Sequence, residues 1–255
     1  MKFETLICSS DNTHDVLDLV FLKNTGVFHV WPDKIYVGCN KNRENTPFST
    51  LPAPYLGGWR EELLCQLSEL KKRTTADYVF LLLDDFYFFK PVCFEVIHKH
   101  VLYASENNLD YLRLVPLRRS FVISIYMYFS SIGKEYIRIK SIEPYYSSLQ
   151  PSIWKIDYLV ELLKSPCNIW EFEHLSVVNS KHAAVTKNFL FYTHLVEKGK
   201  WLPKALNIID SNFHNMMYRR GIHGYNFFDK PLLTNIKFKI FGYSSLRYRK
   251  LFFDK

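Results

Sequence analysis

The run Tyr78-Val79-Phe80-Leu81-Leu82-Leu83 constrains the chain more than any other segment, because it is apolar at every position and stops at two adjacent carboxylates, Asp84 and Asp85. A strand with one wet face alternates between apolar and polar residues. One without a polar position belongs in the middle of a sheet covered on both sides. Two neighbouring anions leaving such a strand repel each other and lose hydration unless positive charge lies close by. The segment therefore predicts both an α/β architecture and a charged site at its end.

The flanking pattern extends that frame. Thr5-Leu6-Ile7-Cys8 is a short apolar run stopped by Ser9, Ser10 and Asp11, as expected of a parallel strand ending at a ligand site. Residues 15–28 have helical apolar spacing, 34–39 read as a second strand, and 40–58 as a loop rich in Asn, Thr and Pro. An amphipathic helix is predicted over 59–72, with Leu63, Leu64, Leu67 and Leu70 on one face. A helix over 94–107 and a strand over 110–115 follow. Strands alternating with helices imply a mostly parallel sheet with helices on both faces.

From Ser120 the pattern changes. Residues 121–129 and 135–142 predict a hairpin about 130–134, 156–164 a short helix stopped by Pro166, and Trp170 lies near the start of another. Residues 181–255 read as irregular with short strands. With 255 residues, 48% of them apolar, and no compositional break, the simplest expectation is one domain. It divides into an α/β half over 1–118, a second half over 119–205 and a basic, aromatic segment over 206–255.

Charge and cysteine usage narrow the function classes. The net charge is +8, from 33 Lys and Arg against 25 Asp and Glu, which favours phosphate-bearing partners. The excess gathers late, where Lys237, Lys239, Arg247, Arg249 and Lys250 are interleaved with aromatics. That mixture suits a peripheral contact with an anionic membrane, or an ordinary solvated tail. No RNA-recognition motif accompanies the charge, so a nucleic-acid partner is not expected. The five cysteines, Cys8, Cys39, Cys65, Cys93 and Cys167, contain no CxxC pair, which argues against a disulfide framework or a zinc site. With no apolar signal at the N-terminus and no stretch long enough to span a bilayer, a cytoplasmic location is expected.

Asp84 and Asp85 are candidate ligands of a divalent metal, Mn2+ or Mg2+, because hard cations take carboxylate, water and phosphate oxygens together. At this point the sequence resembles a family. The run 78–88 is similar to the acidic metal motif of GT-A glycosyltransferases, and most of all to bacterial enzymes that assemble capsule, O-antigen or other surface polysaccharides. Cys8-Ser9-Ser10-Asp11, Ser148-Leu149-Gln150-Pro151-Ser152-Ile153-Trp154 and Trp170-Glu171-Phe172-Glu173 follow in the order those proteins show. The resemblance covers residues 5 to 205. It implies the GT-A fold, a nucleotide-diphospho-sugar donor and transfer to a saccharide acceptor, free or lipid-linked.

The resemblance also assigns roles to positions in this chain. Cys8, Ser9, Ser10, Asp11 and Asn40 would border the donor nucleotide, and Arg60, after Gly57-Gly58, would clamp its phosphate or sugar. Family members commonly carry acids at the first and third positions of the motif, whereas here they are adjacent. Asp85 is then the direct metal ligand, with Asp84 left to metal, ribose, sugar or a metal-bound water. His223 is the candidate late histidine of the metal shell. Glu171, and after it Glu173, would be the catalytic base, its anion favoured by the start of a helix. Ser148, Gln150, Trp154 and Trp170 would line the acceptor cleft. An inverting displacement is the favoured mechanism. A retaining enzyme of the same fold, a sugar nucleotidyltransferase and a basic nucleic-acid- or carbohydrate-binding protein are the alternatives.

Overall fold

The computed structural model describes residues 2–22, 27–28, 31–41, 46–54, 57–117, 133–139, 146–165, 167, 169–173, 175 and 179–223, with the side chains of Leu22 and Trp170 excepted. The predicted hairpin strand over 121–129 and the basic segment over 237–255 lie outside the described residues.

β1 (Phe3–Cys8), β2 (Ile35–Cys39), β3 (Ser49–Pro52) and β4 (Tyr78–Leu83) form a parallel group. β5 (Phe86–Phe88) leaves the sheet directly after Asp84-Asp85. β6 (Tyr111–Arg113), β7 (Tyr136–Ile139), β8 (Ser152–Lys155) and β9 (His182–Val185) complete eight strands in the order β3-β2-β1-β4-β8-β6-β9-β7. Only β8 and β7 run against the rest. β10 (Tyr192–His194) pairs antiparallel with β5, and β11 (Val196–Glu197) with β12 (Lys200–Trp201). A mostly parallel sheet with smaller antiparallel sheets is the architecture expected from the GT-A resemblance.

β4 shows how the chain builds two cores. Tyr78, Phe80 and Leu82 enter one apolar cluster, Val79 and Leu81 the other, because successive side chains point to opposite faces. The first cluster is covered by the mixed-pitch helical segment 11–22, whose α turn is α1 (His14–Leu17), and by α3 (Phe94–Glu106), which buries Ile97, Val101 and Ala104 at helical spacing. The second lies under α2 (Trp59–Arg73), through Leu63, Leu67 and Leu70, and under α4 (Ile156–Lys164), through Leu159, Leu162 and Leu163. Among the described residues no helix is long and apolar enough to cross a membrane.

Two strands depart from the sequence expectation. β3 falls inside the predicted loop 40–58; it buries only Leu51 and ends at Pro52, which an edge strand tolerates. β8 comprises residues expected in the acceptor cleft. Trp154 is 0% exposed, donates from Nε1 to Ser152 Oγ at 2.8 Å and packs on Tyr111 at a ring separation of 4.2 Å. No ring face is left for a sugar, so Trp154 is a core residue.

Two buried histidines tie stability to pH. His182 lies between Tyr146 O at 2.9 Å and Tyr158 Oη at 2.8 Å, and His100 bonds Tyr136 Oη at 2.8 Å. Burial pushes both imidazoles down to about 4. The unfolded chain therefore binds more protons between the ordinary histidine value and 4, and stability falls as pH drops through that window. The urea midpoint should decrease between pH 7 and pH 5, with each histidine contributing on the order of 2 kcal/mol. His100→Phe should shrink the decrease. An equal decrease in wild type and variant would exclude His100 as a source.

Candidate active site at the carboxyl edge of the sheet

From β1 the chain passes to β2 on one side, and after β3 it returns to β4 on the other. The crevice beyond the carboxyl ends of β1 and β4 is thus the switch point of the sheet, where open α/β sheets bind ligands. Cys8 is in register with Leu83, so Ser9 leaves the sheet beside Asp84 and donates from Oγ to Asp84 Oδ2 at 2.8 Å. Asp84 and Asp85 form the two-residue turn between β4 and β5.

The expected donor residues gather around this turn. Asp11 and Asn40 clasp each other: Asp11 N–H donates to Asn40 Oδ1 and Asn40 N–H to Asp11 Oδ1, both at 2.8 Å. Asn40 Nδ2 also reaches Ala53 O at 3.2 Å, tying the end of β2 to the chain beyond β3. Ser10 stands within 3.3 Å of Thr13 Oγ1, whose hydroxyl also contacts Ser9 Oγ at 3.3 Å. Cys8 is half-buried against the cluster under α2, and burial pushes its thiol up, with Asp84 and Glu62 adding to the rise. Arg60 is not drawn into the cluster; it bonds Glu61 and Ser165 O.

Burial pushes the Asp84 carboxyl up to about 7, and the neighbouring Asp85 adds to the rise. The hydroxyls of Thr13 and Ser9 and the charge of Arg220 oppose it. Asp85 is held differently: Leu195 N–H donates to its carbonyl at 3.1 Å, and His194 Nδ1 lies 3.2 Å from Oδ2. Phe86 meets the His194 ring edge-on at 4.8 Å. From His194 the bonds continue. Gln150 Nε2 is 3.2 Å from His194 Nε2, Tyr192 Oη donates to Gln150 Oε1, and Gln150 N–H donates to Ser148 Oγ at 3.3 Å. Ser148 Oγ in turn donates to Glu173 Oε1 at 3.0 Å. The donor and acceptor roles at the two His194 ring nitrogens follow its tautomer.

The two glutamates are placed differently. Glu171 is exposed on the four-residue helix α5 (Ile169–Phe172), whereas Glu173 follows that helix and enters the cluster. Glu171 stands in the first turn of α5, as anticipated, whereas Glu173 lies past its C-terminal end and has no such support. Its carboxyl is instead raised by burial, against hydrogen bonds from Ser148 and Leu149 N–H and the charges of Arg113 and His194. Trp170 contributes its backbone to α5.

His194, rather than His223, stands against Asp85. His223 lies beyond β12, its N–H donating to Trp201 O at 2.7 Å. Other participants were not anticipated. Gln66 donates from Nε2 to Ser9 O at 2.8 Å, and Arg220, on α6 (His214–Arg220), clasps Asp15 through Nε at 2.7 Å and Asn12 O through Nη2 at 2.5 Å. The one available signal for His194 was an aromatic-rich strand, 191–194, whose pairing with the equally aromatic 86–88 brings it beside the acidic turn.

Among the described residues no three His, Cys, Asp or Glu side chains cluster as a complete protein-made metal cage. Mg2+ and Mn2+ do not need one, since one or two carboxylates plus phosphate and water oxygens suffice. Two adjacent carboxylates, one of them raised by burial and by its neighbour's charge, fit such an ion.

No family model matches the chain, and no curated protein matches it. Among solved structures, S. aureus TarS matches with a TM-score of 0.47 and 13% identity over 78% of this chain and 37% of that one. S. aureus TarS 1-349 in complex with UDP-GlcNAc matches with 0.46 and 15% over 79% and 60%. This chain thus spans less than two thirds of either, and the likeness is too distant to carry a function across.

The position of Gly38 tests how the cluster is held. A methyl group there would stand 2.1 Å from the Gln66 amide, which is fully buried and braces Ser9. Gly38→Ala should cost about 1–3 kcal/mol in urea denaturation. Combining it with Gln66→Ala should recover part of that loss. Unaltered stability in the single variant would contradict the packing described.

Proposed function

We propose that the chain is a glycosyltransferase that moves a sugar from a nucleotide-diphospho-sugar to a hydroxyl of a saccharide acceptor. The observation that carries the reading is the hydrogen-bonded path from Asp85 through His194, Gln150 and Ser148 to Glu173. It links an acidic turn at the switch point of the sheet to a half-buried carboxylate with a raised proton affinity.

In this reading the nucleoside lies over Ser9, Ser10, Asp11 and Asn40, with Asp84 and Asp85 toward the diphosphate. Asp85 and Asp84 would hold a divalent cation, which when bound offsets the charge developing on the leaving nucleotide. Glu173 accepts the proton of the attacking acceptor hydroxyl. A carboxylate raised by burial serves this better than a solvated one, because its proton affinity lies nearer the working pH. Ser148 and the Leu149 N–H hold the Glu173 carboxylate in place. His194 and Gln150 hold Asp85 and Ser148 at a set separation, so the donor phosphates and the base keep their spacing. A single inverting displacement fits a base on the acceptor side. The surface-polysaccharide class of acceptor and a membrane contact through the late basic residues remain parts of the proposal that rest on sequence alone.

Glu173→Gln keeps the shape and the Ser148 contact but removes the base. With whichever UDP-, GDP-, CMP- or dTDP-linked sugar the enzyme turns over, kcat should fall about a hundred- to ten-thousand-fold. Nucleotide affinity should stay within about twofold, the scatter expected when no contact to the nucleotide is removed. Glu171→Gln should leave kcat near wild type. A large loss in Glu171→Gln with full activity in Glu173→Gln would overturn the assignment.

A further inference from the structure

Arg113 is 7% exposed, and its buried Nε has no hydrogen-bond partner among the described residues. It is the last residue of β6, opposite Ser152 on β8 and Ala184 on β9, so it stands at the carboxyl edge of the sheet. Leu112 enters the cluster under α3, whereas Tyr111 enters the opposite one. Arg113 therefore shares the face of Tyr111, whose hydroxyl donates to Ser148 O at 2.8 Å. Its charge acts on both Tyr111 and Glu173. Glu173, however, takes its hydrogen bonds from Ser148 and Leu149.

A guanidinium cannot shed its charge to escape burial, and a buried donor without an acceptor is costly. Its fork of N–H groups matches the paired oxygens of a carboxylate or phosphate. The donor diphosphate is an unsuitable occupant, since it belongs at Asp84-Asp85 on β4. β6 lies two strand spacings away, about 10 Å. An oxyanion further along the bound substrates, near the base, meets the geometry.

We infer that Arg113, buried at the carboxyl end of β6 on the Tyr111 face with its Nε unmatched among the described residues, receives a carboxylate or phosphate borne by a reacting saccharide, so that the enzyme acts on acidic sugars. The inference rests on the glycosyltransferase reading and adds the substrate class. The anion belongs either to the acceptor or to the donor sugar, and binding experiments separate the two.

Calorimetric titrations of glucuronate, glucose 6-phosphate and glucose, with UDP present, should be run on wild type, Arg113→Gln and Arg113→Lys. UDP-glucuronate and UDP-glucose are compared in parallel, and UDP alone is titrated as the reference. Wild type should bind at least one acidic ligand more than about tenfold tighter than its neutral counterpart, as expected of a charge-assisted fork. Arg113→Gln should abolish that preference, and Arg113→Lys should restore part of it. A preference among the free sugars assigns the anion to the acceptor, and one confined to the UDP-sugars assigns it to the donor. Equal binding of acidic and neutral ligands in wild type would overturn the inference, as would a preference that survives in Arg113→Gln. Should Arg113→Gln fail to fold, the wild-type comparison and Arg113→Lys still decide. UDP binding without acid preference sinks this inference alone. Acid preference without binding of UDP, GDP, CMP or dTDP sinks the transferase reading and leaves the anion site standing.

Discussion

The parallel pairing of β1 with β4 holds Cys8 level with Leu83, and everything at the carboxyl edge follows from that register. Two chains leave the sheet side by side, one with a hydroxyl and one with two carboxylates, and the Ser9–Asp84 bond closes the gap at 2.8 Å. A slip of one residue would turn every β4 side chain to the opposite face and take Asp84 from Ser9. Such a slip is disfavoured because Phe80, Leu82, Val79 and Leu81 are all fully buried in two different clusters. The apolar run that specifies the core thereby also positions the charged turn.

The cost of that placement is electrostatic. Asp84, Asp85, Asp11 and the buried Glu62 converge at the switch point, and the Glu62 carboxyl is raised by burial and then by Asp11 and Glu61. The fold meets part of this with hydroxyls from Ser9 and Thr13 and with the charge of Arg220, brought from the far end of the described chain by its clasp on Asp15. The remainder is what makes a cation carrying a diphosphate a fitting occupant. On the other side of the same edge Arg113 lies buried, its Nε without a hydrogen-bond partner among the described residues. Its charge acts on Glu173, the carboxylate at the end of the network that runs from Asp85 through His194, Gln150 and Ser148.

The parts of this arrangement legible in the sequence are those governed by local pattern. β1, β2, β4, α2, α3 and α4 each carry a period or an unbroken apolar run longer than a turn. The acidic turn and Ser9–Asp11 followed from where those strands end. β3 and β8 were not legible as strands, because four residues with one or two interior apolar positions have no period to read. Trp154 was assigned to ligand instead of core for the same reason. His194 and Glu173 depend on pairings made at long range: β10 against β5, and the 146–150 segment against the turn after α5. Arg113 fell inside the predicted strand 110–115 with no role assigned to it. Its significance arises only from burial, which the sequence does not record.

The central claim is a donor site at the acidic turn, and calorimetric titration of UDP, GDP, CMP and dTDP, each with and without manganese, tests it most directly. One nucleotide should bind wild type with an affinity that manganese increases at least about tenfold, the difference of about 1.4 kcal/mol expected when a cation bridges carboxylate and phosphate. Asp85→Ala should lose that increase. Failure of all four nucleotides to bind wild type in either condition would contradict the donor site and, with it, the transferase.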